Sequence, residues 1–334
     1  MTDAVSRDVA AAKVVVVAIG RNEGERLRRC LASLEGQADL VVYVDSGSTD
    51  GSVEMARTQG AEVVSLDMNR PFTAARARNA GWRHALEKMP DLQFVQFVDG
   101  DCEVVPGWIA TARQRLLEVP TIAAVFGRRR ERFPDRSVYN LLCDIEWNVP
   151  PGQVKHCGGD VMFCADALRQ VNGYREDLIA GEEPELCIRL RAQGWTIHCL
   201  PHEMTIHDAA ITRFSQWWRR TVRNGYAFAE GVRLHGGPPE RHWVRPLRSA
   251  VIWAVVLPAV IAVAWLALGP RAASIALIYP LQVLRLALKT PGDLRLRAAR
   301  SFYLVLGKFP EAQGAIRHLR HVLTKRRGEL IEYK

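Results

Sequence analysis

Short apolar runs, rich in β-branched residues, recur along the first part of the chain, and each gives way to a polar stretch with helical spacing. Lys13–Ile19 (KVVVVAI) is unbroken, as a strand buried on both faces of a parallel sheet requires. Leu40–Val44, Ala61–Leu66 and Phe94–Val98 repeat the signal, with helical patterns over Glu23–Leu34, Gly51–Gln59 and Thr73–Glu87 between them. Strands alternating with helices predict right-handed βαβ units and an α/β fold, a mostly parallel sheet flanked by helices. Ligands of such sheets bind beyond the carboxyl ends of the strands, so the residues just after each strand are the first to inspect. Further strands are expected at Ile122–Gly127, Val161–Cys164 and Thr196–Leu200, and helices at Glu183–Gln193 and Phe214–Leu234.

The pattern changes after residue 250. Ala250–Gly269 is 20 residues without a charge, enough to span a hydrocarbon core of roughly 30 Å. A Gly269-Pro270-Arg271 turn follows, then Ala272–Leu284, 13 uncharged residues that suit a tilted second pass or a re-entrant hairpin. A buried helical hairpin in a soluble protein is the alternative. The expected organisation is a flexible N-terminus (1–12), a catalytic domain (13–235), a basic linker (236–249), a hydrophobic hairpin of one or two membrane segments (250–288) and a basic cytoplasmic tail (289–334).

Charge sharpens this reading. The net +9 is uneven: residues 1–211 hold 24 Lys/Arg against 30 Asp/Glu, whereas 212–250 hold 8 against 2 and 285–334 hold 12 against 4. Basic flanks around an apolar segment favour an anionic membrane surface, and with no recognisable nucleic-acid module a nucleic-acid partner is not expected. Lys/Arg on both flanks place both ends in the cytoplasm, at the inner (plasma) membrane. Seven scattered cysteines, an odd number without CxxC spacing, argue against a disulfide framework or zinc site and for a reducing compartment. The polar N-terminus lacks the apolar core of a signal peptide, so the catalytic domain is expected to remain cytoplasmic.

Chemistry-bearing residues follow the strands. Gly20-Arg21-Asn22-Glu23 can contact a nucleobase or ribose, or form a plain loop and helix cap. Asp45 closes the second strand, where it can accept hydrogen bonds from a base or ribose, and Ser46 opens the turn after it. Asp50 reads as part of that turn or as a cap for the next helix. Arg78 can approach a diphosphate or sit solvated on its helix. Asp99-Gly100-Asp101 is the sharpest feature: two carboxylates flanking glycine at a strand end form a compact oxygen site for Mg²⁺ or Mn²⁺ shared with phosphate oxygens. Two acids this close are costly unless a cation neutralises them. Gly158 and Gly159 allow a close backbone approach to a sugar, or form a simple bulge. Glu182 and Glu183 adjoin a predicted helix start, where the dipole tolerates carboxylates. Glu185 and Arg189 read as a surface pair.

The ordered set Asn22-Glu23, Asp45 to Gly51, Ala77-Arg78-Asn79, Asp99-Gly100-Asp101, Gly158-Gly159 and Gly181-Glu182-Glu183 resembles glycosyltransferase family 2 over about residues 13–235. The resemblance implies a GT-A fold, a nucleotide-sugar donor with UDP as the default nucleotide, a divalent cation (Mg²⁺ or Mn²⁺) and inversion at the anomeric carbon. It makes Asp45 the nucleoside-binding aspartate, Asp99 and Asp101 the acids of the DxD motif, and Glu183 the base. The family usually has Asp at that last position, which leaves Glu182 as a rival. His207 stands where some relatives carry a third metal ligand; a structural or surface histidine is the alternative. Gln216 and Arg219 match the donor-binding QxxRW motif of processive members, but Arg220 replaces its Trp, which speaks against processive synthesis. Arg219 can bind diphosphate, and the same Trp- and Arg-rich stretch also suits an interfacial amphipathic helix. Membrane proximity points to a lipid-linked glycan or lipid acceptor in envelope or exopolysaccharide synthesis. A non-catalytic membrane-bound assembly partner and a sugar nucleotidyltransferase are the other classes in play; for the latter, Ala18–Asn22 is a poor phosphate loop.

Overall fold

A computed structural model describes residues 12–324. The expected flexible N-terminus and the last ten residues of the tail fall almost wholly outside that range. The chain divides into two compact units: residues up to Arg136 with Cys143–Ala210, and Ser137–Leu142 with the residues from Ile211 onward.

The first unit is built on a nine-stranded sheet: β1 (Val14–Gly20), β2 (Leu40–Asp45), β3 (Glu62–Ser65), β4 (Phe94–Asp99), β5 (Cys102–Val104), β6 (Ile122–Glu131), β7 (Gly152–Val154), β8 (Val161–Cys164) and β9 (Thr196–His207). Their order is β3-β2-β1-β4-β8-β6-β9-β5, with β7 also paired to β9. Strands β3, β2, β1 and β4 run parallel, as the four apolar runs predict. Strand β8 is antiparallel to β4 and β6, so the sheet is mixed beyond the fourth strand. Val15, Val17, Val42, Val44, Val95 and Phe97 are fully buried, as strands covered on both faces must be.

Two strands outrun their expected ends. β6 continues to Glu131 and β9 to His207, paired in parallel with register shifts near Phe126 and Arg128. The apolar pattern stops at Gly127 because Arg128, Arg129 and Arg130 follow, yet the ladder continues through them. The helix Trp108–Glu118, whose Trp108, Ile109, Ala112 and Leu116 are buried, is an element the apolar pattern did not disclose.

In the second unit, Phe214–His235 is one helix, as expected, grouped here with the C-terminal part of the chain rather than with residues 13–210. Val244–Leu268 forms a continuous helix with a π-turn at Ile252–Val256, and Pro270–Lys289 a second after a turn at Gly269. Both are long and apolar enough to cross a membrane, with mean hydropathy 2.6 and 1.3. Their most apolar windows are 0% and 6% buried, which speaks against a hairpin hidden in a soluble core. The stretch read as a tail folds, over its described residues, into helices Leu294–Leu306 and Lys308–Leu323, the latter packed on Phe214–His235.

The helix Ala74–Lys88 lies directly on β1 and β2. A Cβ on Gly81 would stand 2.3 Å from Val17 Cγ1 and 2.8 Å from Val44 Cγ2. Gly81→Ala gains about 1 kcal/mol of helix propensity and meets an overpacking cost of about 1–3 kcal/mol. The clash involves side chains anchored in the central strands, so a net loss of stability is expected in denaturant unfolding of the detergent-solubilised chain. A more stable variant would contradict this packing.

Candidate active site

The parallel register lines up the strand ends. Gly20 pairs with Asp45 across β1 and β2, and Ile19 pairs with Asp99 across β1 and β4. The loops after β1 and β2 are tied together: Asn22 Oδ1 accepts from Thr49 N at 2.7 Å, and Asn22 N donates to Ser48 Oγ at 2.9 Å. Asp45 is buried; its carboxylate accepts from Gly47 N, Ser48 N and the Tyr43 hydroxyl at 2.9–3.1 Å, which fixes the turn. Ser46 N donates to Gly20 O, and the buried Ser46 hydroxyl has no hydrogen-bond partner. Gly100 N donates to Ile19 O, bending the chain so that Asp99 and Asp101 flank the end of β1.

Arg78 lies at the middle of the carboxylates. It rides the helix Ala74–Lys88, whose N-cap is Thr73, and it is 2% exposed. Its Nη1 reaches Glu182 at 2.9 Å and Glu183 at 2.7 Å, and its Nη2 reaches Asp99 at 3.0 Å. The Tyr174 ring packs 5.7 Å away. Gly159 is a glycine for a spatial reason: a Cβ there would sit 2.4 Å from Arg78 Nη2 and 3.2 Å from Asp99 Oδ2. The structure thus corrects the reading of Arg78 as a solvated surface residue: it is buried, its Nη atoms rest on three carboxylates and its Nε is left without a partner. Glu182 and Glu183 begin the helix Glu182–Ala192, behind Gly181 in the left-handed region. Burial, and then the neighbouring Glu182, push the Glu183 carboxyl from its ordinary 4.5 up to about 7, against the pull of Arg78.

A second guanidinium holds the other side. Arg129 contacts Asp99 at 3.2 Å and Asp160 at 2.8 Å and lies over the Trp147 ring. Asp160 also accepts from Asp99 N and the Thr205 hydroxyl. His207, at the end of β9, places Nε2 3.1 Å from Asp101 Oδ2, with Trp147 packed 4.8 Å from its ring. Burial, reinforced by Arg129, lowers His207 to about 4, so the imidazole is neutral. Asp101, Cys102 and His207 offer donor atoms within 4.8 Å of one another, as do Asp99, Cys102 and Asp160. The Cys102 thiol is pushed well up, first by burial and then by Asp160, and stays protonated, which leaves carboxylate oxygens and a neutral imidazole as donors. That set suits Mg²⁺ or Mn²⁺. Five carboxylates (Asp99, Asp101, Asp160, Glu182, Glu183) face two guanidiniums here, and the surplus negative charge asks for a further cation.

The family model of glycosyl transferase family 2 matches residues 14–167, which hold the strand-end residues from Gly20 to Asp160. The chain carries a family 2 glycosyltransferase domain. It is 28% identical over 225 residues to a pre-mycofactocin glycosyltransferase of Mycobacterium tuberculosis, covering 64% of this chain and 46% of that protein. It is 25% identical over 205 residues to the succinoglycan biosynthesis protein ExoU of Rhizobium meliloti, covering 54% of this chain and 57% of that one. The chain therefore spans about half the length of the curated relatives it matches. Its fold is similar to that of a mannosyltransferase from Pyrobaculum calidifontis, solved in complex with GDP-Man and Mn²⁺, with a TM-score of 0.61 and 20% identity over 92% of this chain and 87% of that one. The mixed sheet with flanking helices is a GT-A fold.

Within the first unit, the structure gathers Asp99, Gly100, Asp101, Gly159, Arg78, Glu182, Glu183 and His207 around one cluster, with Gly20, Asn22, Asp45 and Ser46 at the neighbouring strand ends. Glu23 is paired with Arg26 at 2.7 Å. Gly158 is exposed, and a side chain there would meet nothing within 4 Å, so it lacks the crowding that Gly159 has. Gln216 and Arg219 belong to the other unit: Gln216 Oε1 accepts from Thr212 N and Arg213 N to cap its own helix, and Arg219 is exposed. Glu185 and Arg189 form their bidentate pair, but Glu185 is buried and Arg189 also donates to Val171 O and Gly173 O, so it is a core clamp rather than a surface pair. Sequence reasoning missed Arg129, Trp147, Asp160 and Tyr174. The Gly158-Gly159-Asp160 run was the available signal for Asp160; the others come from segments without motif character.

Removing the hub tests the electrostatics. Arg78→Met leaves buried carboxylates uncompensated, which costs about 3–5 kcal/mol when they are ionised. Glu183 already sits above its ordinary value, so its contribution to stability is present at low pH and is lost as the pH rises through about 7. Without Arg78 that trend steepens. In metal-free buffer, the variant should be much less stable than wild type at pH 8 and closer to it at pH 5. A pH-independent difference would show that Arg78 acts by packing alone.

Proposed function

We propose that this chain is an inverting glycosyltransferase. It would take a sugar from a nucleotide-diphosphate sugar, with UDP the first nucleotide to test, and pass it to a lipid-linked glycan or lipid acceptor in envelope or exopolysaccharide synthesis. The observation that carries the reading is one buried cluster holding a hard-cation donor set, Asp101 and His207 beside Asp99, together with a carboxylate of raised pKa, Glu183, joined through Arg78.

Each residue then has a task. Asp101, His207 and Asp99 would hold Mg²⁺ or Mn²⁺, which supplies positive charge to the departing diphosphate. Glu183 accepts the proton of the acceptor hydroxyl as its oxygen attacks the anomeric carbon, and a pKa near 7 matches that task at neutral pH. Glu182, on the same Nη1 of Arg78, orients the guanidinium and raises the basicity of Glu183. Asp45, beside Gly20 and Asn22, would form the wall offered to the nucleoside, with the fully buried Ser46 tying the turn to Gly20 O through its backbone N–H. Gly159 leaves room for Arg78 and Asp99.

The two apolar helices are read as membrane passes at the inner (plasma) membrane, with both ends and the catalytic domain cytoplasmic, on the strength of their Lys/Arg flanks. The kinship with a succinoglycan biosynthesis protein and a glycosyltransferase supports a role in glycan assembly.

Two variants separate binding from chemistry. Mn²⁺ with UDP should raise the melting temperature of the wild type, and Asp101→Asn should abolish that shift. Glu183→Gln should retain it while losing about 10²–10⁴-fold in turnover of a nucleotide-sugar. Wild-type kcat/KM should rise with pH through an inflection near 7, since the base must be ionised. If neither ligand shifts the melting curve, or Glu183→Gln turns over normally, the assignment fails.

A further inference from the structure

Within the second unit, two further helices stand at the open end of the apolar hairpin. The Gly269 turn folds Pro270–Lys289 back along Val244–Leu268, and the Tyr279 hydroxyl donates to Trp253 O at 2.6 Å between them. Val244 and Lys289 therefore lie toward the same end. Four residues, 290–293, lead from Lys289 to the helix Leu294–Leu306, a reach of about 14 Å when fully extended. Asp293 starts that helix by accepting from Leu296 N at 2.8 Å. Arg297 Nε then donates to Ala287 O at 2.7 Å, in the last turn of the apolar helix. The helix is thus tied to the level at which the hairpin ends. Lys308–Leu323 is held from the other side. It packs on Val244–Val251, the first turns of the hairpin, and its backbone touches that of Phe214–His235. A Cβ on Gly314 would sit 2.0 Å from Val222 O, and one on Gly225 1.9 Å from Glu311 O.

Each helix leaves an apolar stripe bare among the described residues. In Leu294–Leu306 it is Leu294, Ala298 and Phe302, at i, i+4 and i+8, with Leu294 76% and Phe302 50% exposed. In Lys308–Leu323 it is Ile316, Leu319 and Leu323, at i, i+3 and i+7, exposed by 45%, 55% and 74%. Gly314 and His318, on another face of the same helix, are buried. Large apolar side chains grouped in this way are uncommon on a surface that meets only water, and they mark a contact with a partner or a membrane. A second copy of the chain would need a shape complementary to both stripes. A bilayer boundary covers them with no such requirement, and the short linker and the Arg297–Ala287 bond put the first stripe where that boundary lies.

We propose that Leu294–Leu306 and Lys308–Leu323 are interfacial helices, whose stripes at Leu294, Ala298, Phe302 and at Ile316, Leu319, Leu323 sink into the boundary between lipid headgroups and acyl chains. This rests on the reading that the two apolar helices cross a membrane, and not on the transfer reaction. Helices of this kind lie in the plane of the surface with the apolar face about 5–10 Å into that boundary. The exposed Arg295 and Arg320 beside the stripes have stems long enough to keep their charge in the headgroup layer while the leucines go down. The partner is the edge of the hydrocarbon, whatever the charge of the headgroups, and the stretch 294–323 is a second anchor beside the hairpin.

The full chain would carry a nitroxide label at Phe302→Cys, Leu319→Cys or Leu323→Cys in phosphatidylcholine nanodiscs, with wild type giving the background from native cysteines. Leu266→Cys, on the first apolar helix, and Glu87→Cys, on the catalytic domain, serve as lipid and water references. Collisions with oxygen, which concentrates in lipid, are compared with those of a nickel chelate, which stays in water. Oxygen should dominate at 302, 319 and 323, as at 266, and the nickel chelate at 87. Every labelled position is an exposed side chain, and the melting temperature of each labelled chain checks its folding. Nickel access at 302, 319 and 323 equal to that at 87, with 266 in lipid, would overturn the interfacial helices and leave the membrane passes standing. Shielding of the three labels from both reagents, with dipolar broadening between labels, would put a second copy on the stripes and overturn the proposal too. Nickel access at 266 would remove the membrane reading itself, and this proposal with it. Protection by Mn²⁺ with UDP, measured on the same samples, keeps these outcomes separate from that of the transferase reading.

Discussion

The cluster at the carboxyl ends of β1, β2 and β4 depends on one guanidinium. Two like charges 4 Å apart cost about 4 kcal/mol at an effective dielectric of 20, so five carboxylates in one buried pocket are untenable without compensation. Arg78 meets three of them directly, and Arg129 binds Asp99 and Asp160. The compensation is incomplete: burial and then Glu182 keep the Glu183 carboxyl raised to about 7. The position of Arg78 in turn rests on packing far from any charge. Gly81, one helical turn on, lets the helix Ala74–Lys88 settle against Val17 and Val44, and Asn79, bonded to Tyr174 O and Tyr174 N, fixes the segment that brings the aromatic ring to the guanidinium.

Topology explains why residues so distant in sequence meet. The parallel half of the sheet sends β1, β2 and β4 the same way, so Gly20, Asp45 and Asp99 arrive side by side through register alone. The antiparallel β5–β9 pair then sets Cys102 opposite His207, and this puts the imidazole next to Asp101. The bulged continuation of β6 beyond Gly127 supplies Arg129. Each half of the sheet thus contributes one half of the site: the turns at Gly20, Asp45 and Asp99 from the parallel strands, and the imidazole and second guanidinium from the mixed ones.

This division also marks how much was legible beforehand. Strands β1, β2 and β4 are apolar runs with turn residues behind them, so their existence and the placing of Asp45 and Asp99 at strand ends could be read directly. Arg129 could not, because a strand made of Arg128, Arg129 and Arg130 carries no apolar period; its pairing is set by β9. The surroundings of Arg78 were hidden for a different reason. Helical spacing shows which residues share a face but not that Glu182 and Glu183, over a hundred positions away, will arrive on it. The hydrophobic hairpin was the opposite case. Its length and composition were plain, whereas the helices of the basic segment after it were not, because their apolar residues are interleaved with arginines that a charge count reads as a tail.

The glutamate at position 183, where relatives usually carry aspartate, is intelligible in this setting. An extra methylene lengthens the arm from the helix start, and in this structure that arm ends on Arg78 Nη1 at 2.7 Å, with Glu182 on the same nitrogen at 2.9 Å. Nη1 carries two N–H bonds, so each carboxylate can accept one, but the two are then held close together as like charges. Burial, and then the adjacent Glu182 charge, raise the proton affinity of Glu183 against the pull of Arg78. Glu182 is 4% exposed and Glu183 9%, so water does little to spread either charge. On the proposed reading, burial and the like charge of its neighbour, more than the place at a helix terminus, are what would suit Glu183 to accept a proton.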